Sequence, residues 1–129
     1  MLRIFLMLLL ATLSSNAQNV THSKEEVSNL LCHDWKIDHV MINAAKIPMM
    51  ANITFKFRPD NTYEVTMAND TMAGTWFFDE AEKYIALDTK NKTLRIVSLE
   101  KNSFSLVEVK TDDFRDTPKN STFNAIRTD

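Results

Sequence analysis

From residue 33 onward, apolar and polar residues alternate along the chain in short runs. In the first run Trp35, Ile37, His39 and Met41 fall on one side and Lys36 falls on the other. A period of two is typical of a strand with one buried face, so the pattern predicts that these four side chains point inward together.

The same period predicts further strands, separated by turns. They are centred on residues 53–57, 63–67, 74–78, 84–87, 94–99 and 104–109, with a last short strand near 123–126. Pro59-Asp60-Asn61 is a turn signal, and residues 110–121 are polar and expected to be loop-like. Short strands at roughly eight- to twelve-residue spacing indicate a sandwich or a barrel. In a barrel, the last strand would pair with the first and remove both exposed edges.

A short helix is predicted before the first strand, over residues 24–32. Ser23 and Glu26 have the spacing of a capping box, in which each side chain bonds to the backbone N–H of the other residue. Three apolar residues follow at helical spacing and are expected to face the core: Val27, Leu30 and Leu31.

Residues 1–17 have the pattern of a secretory signal peptide. Arg3 precedes an apolar run of about ten residues, and Ser15-x-Ala17 supplies the small residues of a cleavage site. The run is shorter than the roughly 20 residues that span a bilayer. We therefore expect export to the periplasm or the exterior, with one mature domain over 18–129 and no lipid anchor at the cleavage site.

Composition narrows the function classes. The formal net charge is −2 and becomes −3 when Arg3 is removed, so a nucleic-acid binder is not expected. No later segment is apolar enough to predict a transmembrane helix. Cys32 is the only cysteine, so the chain predicts no internal disulfide. It is read as a small buried side chain, with a reactive or intermolecular thiol as the alternative.

The order of several short motifs resembles that of a known family. The motifs are Leu30-Leu31 before Trp35, Ile53-Thr54-Phe55-x-Phe57-x-Pro59-Asp60-Asn61-x-Tyr63, Gly74-Thr75-Trp76, Ile85-x-Leu87, Leu94-x-Ile96-Val97-Ser98-Leu99 and Phe104-x-Leu106. Over roughly residues 25–110 they resemble the secreted lipocalin-like proteins of Bacteroidetes. The resemblance implies an all-β, antiparallel, up-and-down barrel of about eight strands, and it brings no substrate or catalytic residue with it. Asn61 stands where that family usually has Gly.

Six side chains are the candidates for a ligand-binding lumen: Trp35, Ile37, His39, Phe55, Tyr63 and Trp76. An eight-stranded barrel holds either a core of packed side chains or one small ligand. The aromatic residues therefore either pack the core or line an apolar pocket. His39 is either a polar anchor for a ligand or a hydrogen-bonded core residue.

The sequence gives little support for catalysis. Cys32 and His33 are adjacent, and on a strand they would point to opposite faces, so they are not expected to act as nucleophile and base. The three histidines lack the spacing of metal ligands, and the acidic pairs are read as surface. We expect no enzyme activity, no metal and no cofactor.

One long connection between predicted strands bears on ligand binding. The connection 43–51 contains Met49 and Met50, which either cap an open barrel mouth or pack into its end.

The leading hypothesis is a barrel that binds a small apolar or amphipathic ligand. The alternatives are a protein-interaction module with a packed barrel, which docks a protein partner or a second copy through the tail 110–129 or a face carrying Val40 and Ile42, and an enzyme with an unrecognised site.

Overall fold

The computed structural model describes residues 20–89, 93–110 and 118–129. The predicted signal peptide, residues 1–17, and part of the polar segment after residue 110 lie outside these ranges. The described elements are α1 (Lys24–Leu31), β1 (Asp34–Ile42), β2 (Ala45–Pro48), β3 (Ile53–Phe57), β4 (Thr62–Met67), β5 (Asp70–Asp79), β6 (Tyr84–Asp88), β7 (Thr93–Leu99), β8 (Ser103–Val109) and β9 (Pro118–Arg127).

Eight of the strands close into an antiparallel barrel. Each strand from β3 to β8 pairs with the next one along the chain, β3 pairs with the start of β1, and β9 returns to pair with β1 from Trp35 to Ile42. The prediction of an all-β, up-and-down barrel is confirmed. The closing strand is longer than predicted, because its pairing begins at Pro118 rather than near residue 123.

The ninth strand, β2, lies in the segment that was predicted as a connection. It forms a hairpin with the second half of β1, where Ile42 faces Ala45 and His39 faces Pro48. The Met49 N–H also donates to the Asp38 carbonyl oxygen at 3.3 Å. Strands β2 and β3 therefore pair with the same edge of β1: β3 with its first half and β2 with its second half.

The helix packs its apolar face against one end of the barrel interior. Ser23 and Glu26 form the predicted capping box, with both reciprocal hydrogen bonds present. Val27 and Leu31 are fully buried in the core cluster. At the last turn the Trp35 indole N–H donates to the Leu31 carbonyl oxygen at 2.9 Å, which joins the end of the helix to β1.

Five aromatic rings fill the interior next to the helix. Trp35 and Phe104 meet edge to face, with ring centres 5.0 Å apart. Phe57 stacks on Tyr63 at 5.5 Å and on Phe55 at 5.8 Å. These offset and edge-on geometries are the favoured ones for aromatic pairs. This end of the barrel is therefore a packed core.

A bulge in β1 changes which residues face inward. The pairing with β9 shifts between Ile37 and His39, so Asp38 is an extra residue in the strand. After the shift Val40, not His39, pairs with a residue that faces the lumen, Phe123. The prediction that His39 and Met41 share the inner face with Trp35 and Ile37 is wrong for this reason. The assignment of Val40 to an outer docking face is also wrong.

Candidate functional site

A cavity of about 680 Å³ occupies the other end of the barrel. That volume lies within the usual range of small-molecule sites, roughly 300–1,000 Å³. Its lining residues come from seven strands and the end of β6: Ile37, Ile53, Phe55, Val65, Met67, Met72, Ala73, Thr89, Leu94, Leu106 and Phe123. The barrel is thus packed at one end and hollow at the other.

The boundary between cavity and core falls at a similar depth on neighbouring strands. On β3 the lining includes Phe55, and the next inward residue, Phe57, belongs to the packed core. The same step from lining to core occurs on four other strands: Ile37 to Trp35, Val65 to Tyr63, Leu94 to Ile96 and Leu106 to Phe104. The cavity therefore has a floor made by the outermost side chains of the core.

The lining is almost entirely apolar. Thr89 contributes a hydroxyl group, and none of the described lining residues carries a charge. Burying a charged group here would leave it without a compensating partner, which is energetically expensive. The cavity therefore suits an apolar molecule or the apolar part of an amphipathic one.

Flexible apolar side chains surround the mouth. Met67 and Met72 line the cavity and are still 37% and 42% exposed. Ile42 and Ile47, on the β1–β2 hairpin, are similarly exposed. Met49 packs against the core, which agrees with the packing interpretation of the Met49-Met50 pair, and Met50 is 95% exposed to solvent.

A charged pair lies beside the mouth. Glu108 on β8 faces Leu94 across the β7–β8 ladder, so its side chain leaves the sheet on the lumen side. The Lys119 ammonium group lies 3.1 Å from the Glu108 carboxylate. Sequence reasoning did not single out either residue. Because Leu94 lines the cavity, this charged pair is a direct neighbour of the lining.

The six predicted lumen residues separate into three groups. Ile37 and Phe55 line the cavity. Trp35, Tyr63 and Trp76 are buried in the core cluster instead. His39 lies outside the lumen, where its Nδ1 is 2.8 Å from an Asp38 carboxylate oxygen.

Hydrogen bonds hold the three core aromatics at their polar atoms. The Trp76 indole donates to the Arg58 carbonyl oxygen at 3.0 Å. The Tyr63 hydroxyl donates to the Asp88 carbonyl oxygen at 3.5 Å, and burial raises the pKa of that phenol above its usual value. These side chains therefore follow the core-packing interpretation.

Most of the cavity lining was not singled out by sequence reasoning. The missed residues are mainly aliphatic or methionine: Ile53, Val65, Met67, Met72, Leu94, Leu106 and Phe123. The alternating pattern does place several of them on an inward face. It contains no signal for which inward layer stays unfilled.

The Cys32-His33 pair does not form a catalytic dyad. The His33 Nδ1 faces Asp129 at 3.2 Å, and its Nε2 faces the Asn29 carbonyl oxygen at 3.0 Å. The Cys32 sulfur lies 3.7 Å from the Ser28 hydroxyl, and burial raises the pKa of the thiol. Because only the thiolate is a strong nucleophile, this environment does not activate the cysteine.

A second cleft, of about 300 Å³, lies on the outer surface of β1, β3 and β4. Its lining includes Lys56 and Glu64, which face each other across the β3–β4 ladder. Opposite charges thus meet within the cleft, so it has no single-sign surface for a charged ligand. Within the described ranges, no group of three His, Cys, Asp or Glu residues is arranged to hold a metal ion.

Comparison with known proteins gives no relative from which a function can be transferred. Neither a protein-family model, nor a curated protein, nor a solved structure matched the chain. Within residues 20–89, 93–110 and 118–129, no helix has the length and apolar character needed to cross a membrane.

Proposed function

We propose that this protein is a non-enzymatic binding barrel that holds one small apolar or amphipathic molecule. The observation that carries this proposal is the apolar cavity of about 680 Å³ above a packed aromatic floor. A closed eight-stranded barrel whose interior is only partly filled leaves room for a single small ligand.

The chemistry of the cavity supports an apolar or amphipathic ligand. Transfer of apolar surface from water into the cavity contributes about 25 cal/mol per Å². The described lining lacks a charged side chain, whereas Glu108 and Lys119 stand beside the mouth. An amphipathic ligand would therefore place its apolar part inside and its polar part near this pair.

Export and family membership complete the proposal. The signal-like residues 1–17 support delivery to the bacterial envelope or beyond it. The barrel architecture agrees with what the resemblance to secreted lipocalin-like proteins of Bacteroidetes implies about fold.

A protein-interaction module is the second candidate, and one observation favours it. Ile42, Ile47 and Met50 are exposed around the β1–β2 hairpin, and no strand of the described sheet pairs with the outer edge of β2. An unpaired strand edge beside exposed apolar side chains is a common site for docking another chain. This surface would also be compatible with a ligand-binding barrel that exchanges its cargo with a partner.

A dye-binding titration tests the leading proposal. Detergent-free protein is titrated with N-phenyl-1-naphthylamine, a neutral apolar dye whose fluorescence increases in apolar surroundings. Leu94→Trp adds an indole ring to the cavity lining, whereas Ile126→Trp adds the same ring at an exposed position that faces Ser103 and Lys36.

We expect saturable binding to the wild type. Affinity should fall at least about tenfold, or 1.4 kcal/mol, in Leu94→Trp, and it should be nearly unchanged in Ile126→Trp. Equal binding by all three proteins would show that the dye binds elsewhere. No binding by the folded wild type would remove the support for an apolar-ligand barrel.

A further inference from the structure

We propose that the cavity admits an apolar chain end-on and that Phe55 limits how much of the chain can enter. This inference rests on the proposed ligand-binding function and adds the shape of the buried ligand part and the residue that sets its length. It follows from the position of one aromatic ring between the cavity and the core.

Phe55 belongs to both the cavity and the core. It lines the cavity, and it is also one of the five clustered rings. The other four rings of that cluster, Trp35, Phe57, Tyr63 and Phe104, are absent from the described lining. A chain that enters at the Met67–Met72 side therefore meets Phe55 before any other ring of the core.

The surrounding rings hold Phe55 in place. Its ring centre lies 5.8 Å from that of Phe57 and 6.3 Å from that of Tyr63, both nearly parallel, and Phe104 meets it edge-on at 6.1 Å. Its backbone lies between Trp35 on β1 and Val65 on β4. With neighbours on these sides, the ring cannot move deeper without displacing the core, so the floor is rigid.

The mouth is built from more adaptable side chains. Met67 and Met72 are unbranched and partly exposed, and methionine adjusts its shape easily to different ligands. The rigid floor therefore limits the length of chain that can be buried. The adaptable mouth accepts different shapes at the outer end of the ligand. The described lining offers no charge, so the chain that enters must itself be uncharged.

A homologous series of straight-chain primary alcohols tests the inference. Affinities are measured by displacement of N-phenyl-1-naphthylamine from the full-length protein. Neutral alcohols are chosen so that the charges of Glu108 and Lys119 do not decide the result. Each added methylene group should increase affinity about fourfold, equivalent to 0.8 kcal/mol per buried methylene, until the chain reaches the floor and the increase stops.

Two variants should move this limit in opposite directions. Phe55→Leu lowers the floor, so the first alcohol beyond the wild-type limit should bind about fourfold more tightly to the variant than to the wild type. Leu106→Phe adds volume to the lining and should move the limit to shorter alcohols. Phe77→Leu removes the same volume from a ring that is 44% exposed and absent from the described lining, and it should leave the limit unchanged.

The outcomes separate this inference from the proposed function. If alcohols bind but the limit stays the same in Phe55→Leu, Phe55 is not the floor and the inference is overturned, while ligand binding stands. If Phe55→Leu does not fold in a thermal-unfolding assay, Leu106→Phe decides, and an unchanged limit overturns the inference. If neither the dye nor any alcohol binds the folded wild type, the proposed function fails and the inference fails with it.

Discussion

Tyr63 lies directly across the β4–β5 ladder from Gly74, and its ring occupies the space where a side chain at position 74 would begin. A Cβ atom added to Gly74 would lie 2.7 Å from the Tyr63 ring and 2.5 Å from the Asp88 carbonyl oxygen. Gly74 is the only glycine in the chain, and its φ angle is not positive. Its role is to permit this close approach, which lets Tyr63 complete the core beneath the cavity.

We expect Gly74→Ala to destabilise the protein. The added methyl group meets a backbone carbonyl that cannot move without shifting a strand, and overpacking of this kind costs about 1–3 kcal/mol or more. Urea unfolding followed by tryptophan fluorescence measures the change. Thr75→Val, at the exposed neighbouring position, should stay within about 0.5 kcal/mol of the wild type. Equal stability of Gly74→Ala and the wild type would contradict the close contact with Tyr63.

We expect Ala44→Gly to stabilise the protein. Asn43 and Ala44 form the two-residue turn between β1 and β2, with φ angles of 50° and 69°. An L-residue in this region is strained by about 1–2 kcal/mol, and glycine relieves that strain. Glycine also loses more chain entropy on folding, which costs roughly 0.5–1 kcal/mol. The net gain should be about 0.5–1 kcal/mol, seen as a higher Tm.

Ala73→Gly is the matched control for the turn. Ala73 is exposed on β5 and is not among the described residues with a positive φ angle. The same substitution there should lower stability by about 0.5–1 kcal/mol. If both glycine variants were destabilised equally, the left-handed conformation of Ala44 would not be correct.

Asp60 should contribute a pH-dependent part of the stability. Thr62 donates its hydroxyl and its backbone N–H to the Asp60 carboxylate, and these hydrogen bonds lower the pKa of Asp60. Because the folded-state pKa lies below the unfolded value of about 3.9, the contribution is present above that pH. It is lost as the pH falls through the folded-state pKa.

Paired unfolding curves at neutral and acidic pH measure this contribution. Wild type should be more stable than Asp60→Asn at pH 7, and the difference should shrink below about pH 4. In a Thr62→Val background one donor is missing, so the pH-dependent difference should be smaller. A difference that is constant with pH would mean that Thr62 does not stabilise the ionised form of Asp60.

His39→Ala should leave ligand binding unchanged. The bulge at Asp38 directs His39 away from the lumen, so the dye affinity should change by less than about twofold, which is the effect of an ordinary surface substitution. Leu94→Trp, which changes the cavity lining itself, is the comparison variant and should lose dye affinity. A tenfold loss in His39→Ala would restore His39 as a lumen residue and contradict the placement of the bulge.

Sequence pattern predicted most of the barrel but not its local irregularities. The alternation from Ile53 to Phe57 and from Tyr63 to Met67 identified two strands and their inward faces. The bulge at Asp38 shifts the alternation by one residue, and the adjacent polar residues Asp38 and His39 mark the shift in the sequence. It was missed because Met41 also fits the unshifted pattern. The β2 hairpin was missed because Asn43-Ala44 lacks the glycine of the usual two-residue turn signal.

The cavity was harder to predict than the fold. Whether an inward side chain packs the core or lines a void depends on contacts between strands that are distant in the sequence. Trp35 and Phe104 meet at 5.0 Å although 69 positions separate them, and that contact belongs to the core that forms the cavity floor. Single-sequence periodicity gives the face of each strand, but it does not give the volume left between faces.

Native mass spectrometry on the protein isolated from its own cells without detergent tests the central claim most directly. We expect an additional mass of about a few hundred daltons, the size of a ligand that suits such a cavity, which is lost on denaturation. It should be retained by Ile126→Trp and absent from Leu94→Trp. A clean ligand-free mass for the wild type, together with a dimer or a complex with another protein, would contradict the ligand-binding barrel and favour the interaction module.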